Sequence, residues 1–151
     1  MIDFIRGPVF DQQNDSVTIE VNGLGYRVFI PANVSLKQGE TVFLYTHLVI
    51  REDAHTLYGF PSKEERDLFR LLLEVSGIGP KAGLMILSTG NPKQIVTAIQ
   101  LEDVKFLTKI PGIGKKTAQR LILDLKDKCK EWVLDFSDQE LQDQQSVQRQ
   151  L

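Results

Sequence analysis

The chain is poor in the residues that build covalent or metal-held frameworks. It has one cysteine, Cys129, and two histidines, His47 and His55, in 151 residues. A lone cysteine excludes an internal disulfide, and so few Cys and His argue against a zinc site. Long apolar runs are also missing. The longest stretches, such as "VFLYTHLVI", are strand-length and interrupted, well short of the roughly 18 residues a membrane span needs. The N-terminal "MIDFIRGPVF" has a charge at its third position and no apolar h-region, so it does not read as a signal peptide. These absences point to a soluble, cytoplasmic protein without metal or cofactor. What is present is a globular composition, 42% hydrophobic and 25% charged, which suffices for a buried core.

The net charge of −2 conceals an uneven distribution. Residues 1–60 hold four Lys/Arg against seven Asp/Glu, a net of −3. Residues 61–134 hold thirteen against nine, a net of +4, and residues 135–151 hold one against four, a net of −3. A basic middle between acidic ends is compatible with nucleic-acid binding, although the whole-chain pI near 5.7 hides it.

Periodicity divides the chain in the same places. Alternating patterns predict strands at Ile2–Phe10, Ser16–Val21, Tyr26–Ile30, Thr41–Ile50 and Thr56–Phe60, with turn chemistry at "NGLG" (Asn22–Gly25) and a charged tip at "REDAH" (Arg51–His55). Five short antiparallel strands suit a small closed barrel of the OB type. From Pro61 the period becomes helical. Ser62 and Glu65 stand at capping-box spacing, Pro80 suits a helix start, Asn91 and Pro92 open another helix, and a last helix is expected from about Lys115 to about Trp132. The fold class is therefore α+β: a barrel domain over residues 1–61, an all-α domain over 62–134, and a glutamine-rich tail, 135–151, that reads as a linker or frayed end. Cys129 reads as a partly buried helix position, Trp132 and Phe136 as docking or core residues, and Tyr45 and Tyr58 as strand residues facing the barrel.

The helical half contains an internal repeat. Shifted by 35 residues, "FLTKIPGIGKKTAQRLIL" (Phe106–Leu123) falls on "LLLEVSGIGPKAGLMILS" (Leu71–Ser88). Gly77 aligns with Gly112, Ile78 with Ile113, Gly79 with Gly114 and Lys81 with Lys116. Each copy reads as helix, glycine hairpin, helix. Glycines at the corner admit close backbone approach, and the free amides at the next helix start attract a phosphate oxygen. Lys81, Lys115 and Lys116 add charge at the same corners, Arg120 extends the contact, and Ile78 and Ile113 read as hairpin core. A nucleotide P-loop is excluded by spacing: Lys109 stands five positions before Gly114, and Lys115 is followed by Lys116 rather than Ser or Thr. Phosphate contacts of this kind carry no base readout, so binding is expected to be sequence-independent and salt-sensitive.

Three function classes are compatible with these residues: a structure-selective DNA-binding scaffold, a nuclease or glycosylase built on the same motifs, and a protein-interaction module whose glycine corners are only turns. A barrel followed by paired helix-hairpin-helix motifs, with "VIREDAHTLYGF" (Val49–Phe60) and "PGIGKKTAQRLILDLKDK" (Pro111–Lys128), closely resembles the RuvA family over about residues 1–134. These bacterial proteins bind Holliday junctions during branch migration in recombination and DNA repair. The resemblance implies a non-catalytic subunit that forms a homotetramer, or an octamer on DNA, and holds a four-way junction open. It also implies an acidic pin, Glu52 and Asp53, near the central axis. The ATPase in this family is a separate chain, RuvB, and a resolvase, RuvC, joins them. The family carries a third small domain that contacts RuvB after a flexible linker, whereas this sequence stops at Leu151 within the tail. Junction binding is therefore expected to be kept and RuvB coupling to be lost or weak.

Overall fold

The computed structural model describes residues 1–132; the tail, with Phe136, lies outside the described residues. Five strands come first: β1 (Phe4–Gln12), β2 (Ser16–Val21), β3 (Leu24–Phe29), β4 (Thr41–Ile50) and β5 (His55–Phe60). They close into a barrel in the order β1-β2-β3-β5-β4, with β4 returning to pair with β1. All pairings are antiparallel except β3–β5, a parallel seam of two residue pairs, Val28–Leu57 and Phe29–Tyr58. Inward positions alternate along each strand, so Ile5, Val9, Val17, Ile19, Val28, Val42, Leu44 and Leu57 form the barrel core.

β1, β3 and β5 differ from the sequence expectation at their ends, and two of the differences, the start of β3 and the end of β1, are the larger extensions. The β2–β3 turn consists of Asn22 and Gly23 alone, both with positive φ (51° and 86°). This two-residue Asn-Gly form matches strand twist, so Leu24 and Gly25 join the strand instead of the turn. β1 extends beyond Phe10 to Gln12 because its register shifts between Val9 and Asp11, a bulge that lets pairing with β2 resume.

The helices are α1 (Lys63–Leu73), α2 (Pro80–Ser88), α3 (Pro92–Gln100), α4 (Val104–Thr108) and α5 (Lys115–Leu125). Ser62 caps α1, its Oγ accepting from Glu65 N–H at 3.2 Å. One Glu65 carboxylate oxygen is buried without a hydrogen-bond partner, and burial pushes this carboxyl above its ordinary value. Asn91 forms a full capping box with Gln94 at the start of α3. The last helix ends at Leu125, earlier than expected. Gln100 Nε2 donates to Lys126 O at 2.6 Å, and Lys130 N–H turns to Asp127 O. With that carbonyl diverted, residues 126–129 run as turns before helix resumes over 130–132. Cys129 lies in this segment and is fully buried in the helical core; burial raises its thiol pKa to about 11.

Barrel and helices are joined through side chains of both. Phe60, from β5, belongs to the helical core, where it meets Phe69 at 4.9 Å between ring centres. Tyr58 points the same way, 5.2 Å from Phe69, and Tyr45 lies under the Arg66 guanidinium at 5.4 Å. Both tyrosines therefore face α1, not the barrel interior, because they occupy the outward register of their strands. Arg66 Nη1 donates to Asp3 O (3.0 Å), and Arg70 donates to Thr46 O (3.3 Å) and to His47 Nδ1 (3.1 Å).

The Arg70 contact requires a neutral imidazole with its proton on Nε2. Burial, then the charges of Arg70 and Arg66, lower the His47 pKa below its ordinary 6.5. The folded state therefore binds fewer protons here than the unfolded chain. The stabilisation is fully present above about pH 6.5 and is lost as pH falls through the lowered folded value. Thermal unfolding between about pH 5 and 8 is expected to show an acid-side decline that is shallower in His47→Gln. Parallel profiles would show that the contact contributes nothing. Glu65 is common to both proteins, so its own raised pKa cancels in the comparison.

Candidate nucleic-acid interface

The sequence repeat is also a repeat of backbone geometry. α1 and α2 form one helix-hairpin-helix unit, and α4 and α5 form the other. The corner glycines Gly77 and Gly112 have φ of 92° and 85°, a left-handed conformation in which side chains are strained. Ile78 N–H bonds Val75 O at 3.1 Å, and Ile113 N–H bonds Ile110 O at 3.0 Å. All four apolar residues are buried, as expected for hairpin core.

Gly79 and Gly114 are the helix N-caps, with φ/ψ of −93°/−179° and −87°/177°. Their carbonyls accept the first helical bonds, from Gly83 and Ala118 N–H, both at 2.9 Å. Neither cap offers a side chain to the first-turn amides. A Cβ at either position would meet nothing within 4 Å, and both φ values are open to any residue. Ser, Asn or Asp would cap these helices better. The fold itself does not require glycine here. What glycine leaves is an unobstructed set of amides at the positive end of a helix dipole, which favours an anion arriving from outside.

Lys81, Lys115 and Lys116 stand exposed in the first turns of α2 and α5. Arg120 is exposed one turn further on, but its Nε is held by Asp124 Oδ2 at 3.3 Å. An i,i+4 pair of this kind is weak and leaves other guanidinium hydrogens available. Lys81 also borders a crevice of about 370 Å³ between the barrel and α2, lined by Phe29, Tyr58, Met85 and Ser88. The first hairpin therefore opens beside the barrel.

Glu52 and Asp53 lie in the turn between β4 and β5, closed by a bond from Arg51 N–H to Ala54 O at 2.8 Å. Both are exposed, and neither carboxylate has an ion-pair partner among the described residues. Among the described residues, no three His, Cys, Asp or Glu side chains gather to hold a metal ion. No helix among them is long and apolar enough to cross a membrane.

Sequence reasoning missed Glu74 and Lys109, which occupy equivalent positions just before the two hairpins. The 35-residue repeat sets one against the other, but because they differ in charge, identity between the two copies does not mark them.

Two family models match this chain. Residues 1–59 match the RuvA N-terminal domain, and residues 69–127 match the SAM-like helix-hairpin-helix tandem. The chain is 55% identical over 130 residues to the Holliday junction branch migration complex subunit RuvA of Brevibacillus brevis, covering 85% of this chain and 63% of that protein. It is 47% identical over 135 residues to the protein of that name in Pseudomonas syringae pv. syringae, covering 87% and 67%. For its counterpart in Exiguobacterium sp., identity is 47% over 137 residues, covering 90% and 70%. The chain thus spans 63% to 70% of the length of these relatives.

Proposed function

The chain belongs to the RuvA family, and on that premise we propose that it is a non-catalytic scaffold that binds four-way junction DNA. It grips phosphates through the two hairpins and recognises the junction by shape, without reading bases. The observation that carries this reading is the pair of N-cap glycines, Gly79 and Gly114. They leave first-turn amides open where the fold gains nothing from glycine. Lys81, Lys115, Lys116 and Arg120 supply the charge around them.

We extend the reading to the assembly. Four copies in a ring, or eight in two rings, bring the Glu52/Asp53 tips together at the crossover. There the carboxylates repel phosphates and keep the arms apart. Four basic hairpin pairs on one face also reconcile DNA binding with a net charge of −2 per chain. By family resemblance the ATPase that drives branch migration is a separate chain, RuvB, with RuvC as the resolving nuclease, and the lack of P-loop spacing in this sequence is consistent with that division of labour.

An electrophoretic titration of a four-way junction against a linear duplex, at two salt concentrations, tests the reading. Strong junction preference that weakens with salt is expected, and the labelled junction stays uncut with magnesium or manganese. The Gly79→Ser/Gly114→Ser variant is the informative partner. Serine hydroxyls cap the same amides, so thermal stability holds or rises by a few tenths of a kcal/mol, roughly the Gly-to-Ser difference at such a cap. Junction affinity falls about tenfold or more, the cost of losing even one charge-assisted bond of about 1.5 kcal/mol. Unchanged affinity in this variant would sink the phosphate-clamp reading. Neutralising the tip with Glu52→Gln/Asp53→Gln should leave junction binding at least as tight and reduce its preference over duplex.

A further inference from the structure

The two hairpins share a backbone but not a charge. Glu74 and Lys109 are the C-caps of the first helix in each unit, with φ/ψ of −73°/−18° and −69°/−19°. Their amides are turned back into the preceding helix in both cases. One repeat therefore places a carboxylate where the other places an ammonium, immediately before the glycine corner.

Two further differences act in the same direction. The first residue of α2 is Pro80, which has no N–H to offer, whereas the first residue of α5 is Lys115, which offers both an amide and a charge. Glu74 also occupies a neighbouring cation. Its Oε2 accepts from Lys128 Nζ at 2.8 Å, and both side chains are exposed. The hydrogen bond and the charge of Glu74 raise the Lys128 pKa. Around the second hairpin, Lys109, Lys115 and Lys116 are all exposed, and none has an acidic partner within ion-pair distance among the described residues.

From these differences we infer that the second hairpin is the principal phosphate clamp and the first a weaker one, with Glu74 the residue that sets its strength. This rests on the phosphate-clamp reading proposed above. It gives each chain one firm and one yielding hold on the DNA backbone, the yielding one lying beside the barrel.

The test is the salt dependence of junction binding by the full 151-residue chain, because each phosphate neutralised adds about 0.9 to the slope of log K against log salt. Lys115→Gln/Lys116→Gln is expected to reduce the slope by about 1.8 per engaged chain, and Lys81→Gln by at most about 0.9. Glu74→Lys, which copies the residue of the other repeat, should tighten binding by about tenfold at about 50 mM salt, with a smaller gain at about 200 mM and a steeper slope. Glu74→Gln, which releases Lys128 without setting two lysines side by side, should tighten it less. It decides the matter if Glu74→Lys unfolds. Wild-type affinity and slope in both Glu74 variants would overturn the inference, as would losing more of the slope on changing Lys81 than on changing both lysines of α5. Failure of the wild-type chain to bind junction at all would instead overturn the phosphate-clamp reading on which the inference stands.

Discussion

Charge reversal at Lys115 and Lys116 to glutamate is expected to lower junction affinity by at least about 100-fold, with no loss of thermal stability. The size follows from two charge-assisted contacts of about 1.5–3 kcal/mol each, replaced by repulsion. The retained stability follows from position. Both residues lie in the first turn of α5, are exposed, and face the positive end of the helix dipole, where acids are favourable. The variant thus separates binding from folding. The loss should also be the same for junctions of different arm sequence, since phosphate contacts position the DNA without identifying bases. Equal binding by the variant and the unaltered chain would favour a protein-interaction module in which the glycine corners are only turns.

The second large effect concerns Phe69, which should be among the costliest single truncations in the chain. Its ring is fully buried and meets those of Phe60, Tyr58 and His47 at 4.9, 5.2 and 5.9 Å. It also lies against Gly83 of α2, where an added Cβ would come to 3.0 Å from the ring. Phe69 thus joins three elements: the β4–β5 ribbon, α1, and the helix that carries the first hairpin. Phe69→Ala should cost about 3–5 kcal/mol, a fall in Tm of about 10 °C or more for a chain of this size. At temperatures where the variant is still folded, junction binding should fall as well, because barrel and hairpin lose their shared support. A cost below about 1 kcal/mol would show that the surroundings collapse onto the space and that Phe69 is not the joint.

The elements that could be read from the sequence are those with a local cause. Ser16–Val21 and Thr41–Ile50 fall where alternation puts them, since each strand has one face in the barrel core. The repeat was visible because both hairpins impose the same demands on the same positions: positive φ at Gly77 and Gly112, burial at Ile78 and Ile113. What sequence did not disclose depends on partners far along the chain. The interruption of the last helix after Leu125 depends on Gln100, 26 residues before Lys126. The outward facing of Tyr45 and Tyr58 depends on α1 lying across them. The pairing of Lys128 with Glu74 spans 54 residues. Charge counting treated these last two as separate ions, although they form one neutral pair.

The path from the acidic tip into the molecule has a mechanical consequence. β4 and β5 are paired without interruption from Ile50–His55 to Tyr45–Phe60, whereas β5 meets β3 through only two residue pairs. A push on the Arg51–Ala54 turn is therefore carried lengthwise down a stiff six-rung ladder and delivered at Phe60, inside the helical core. The short seam to β3 lies to one side of that line and bears little of the load. The tip is a strut footed in the same packing that supports the first hairpin, so on the proposed reading a load from passing strands would be transmitted toward the corner that holds the DNA backbone.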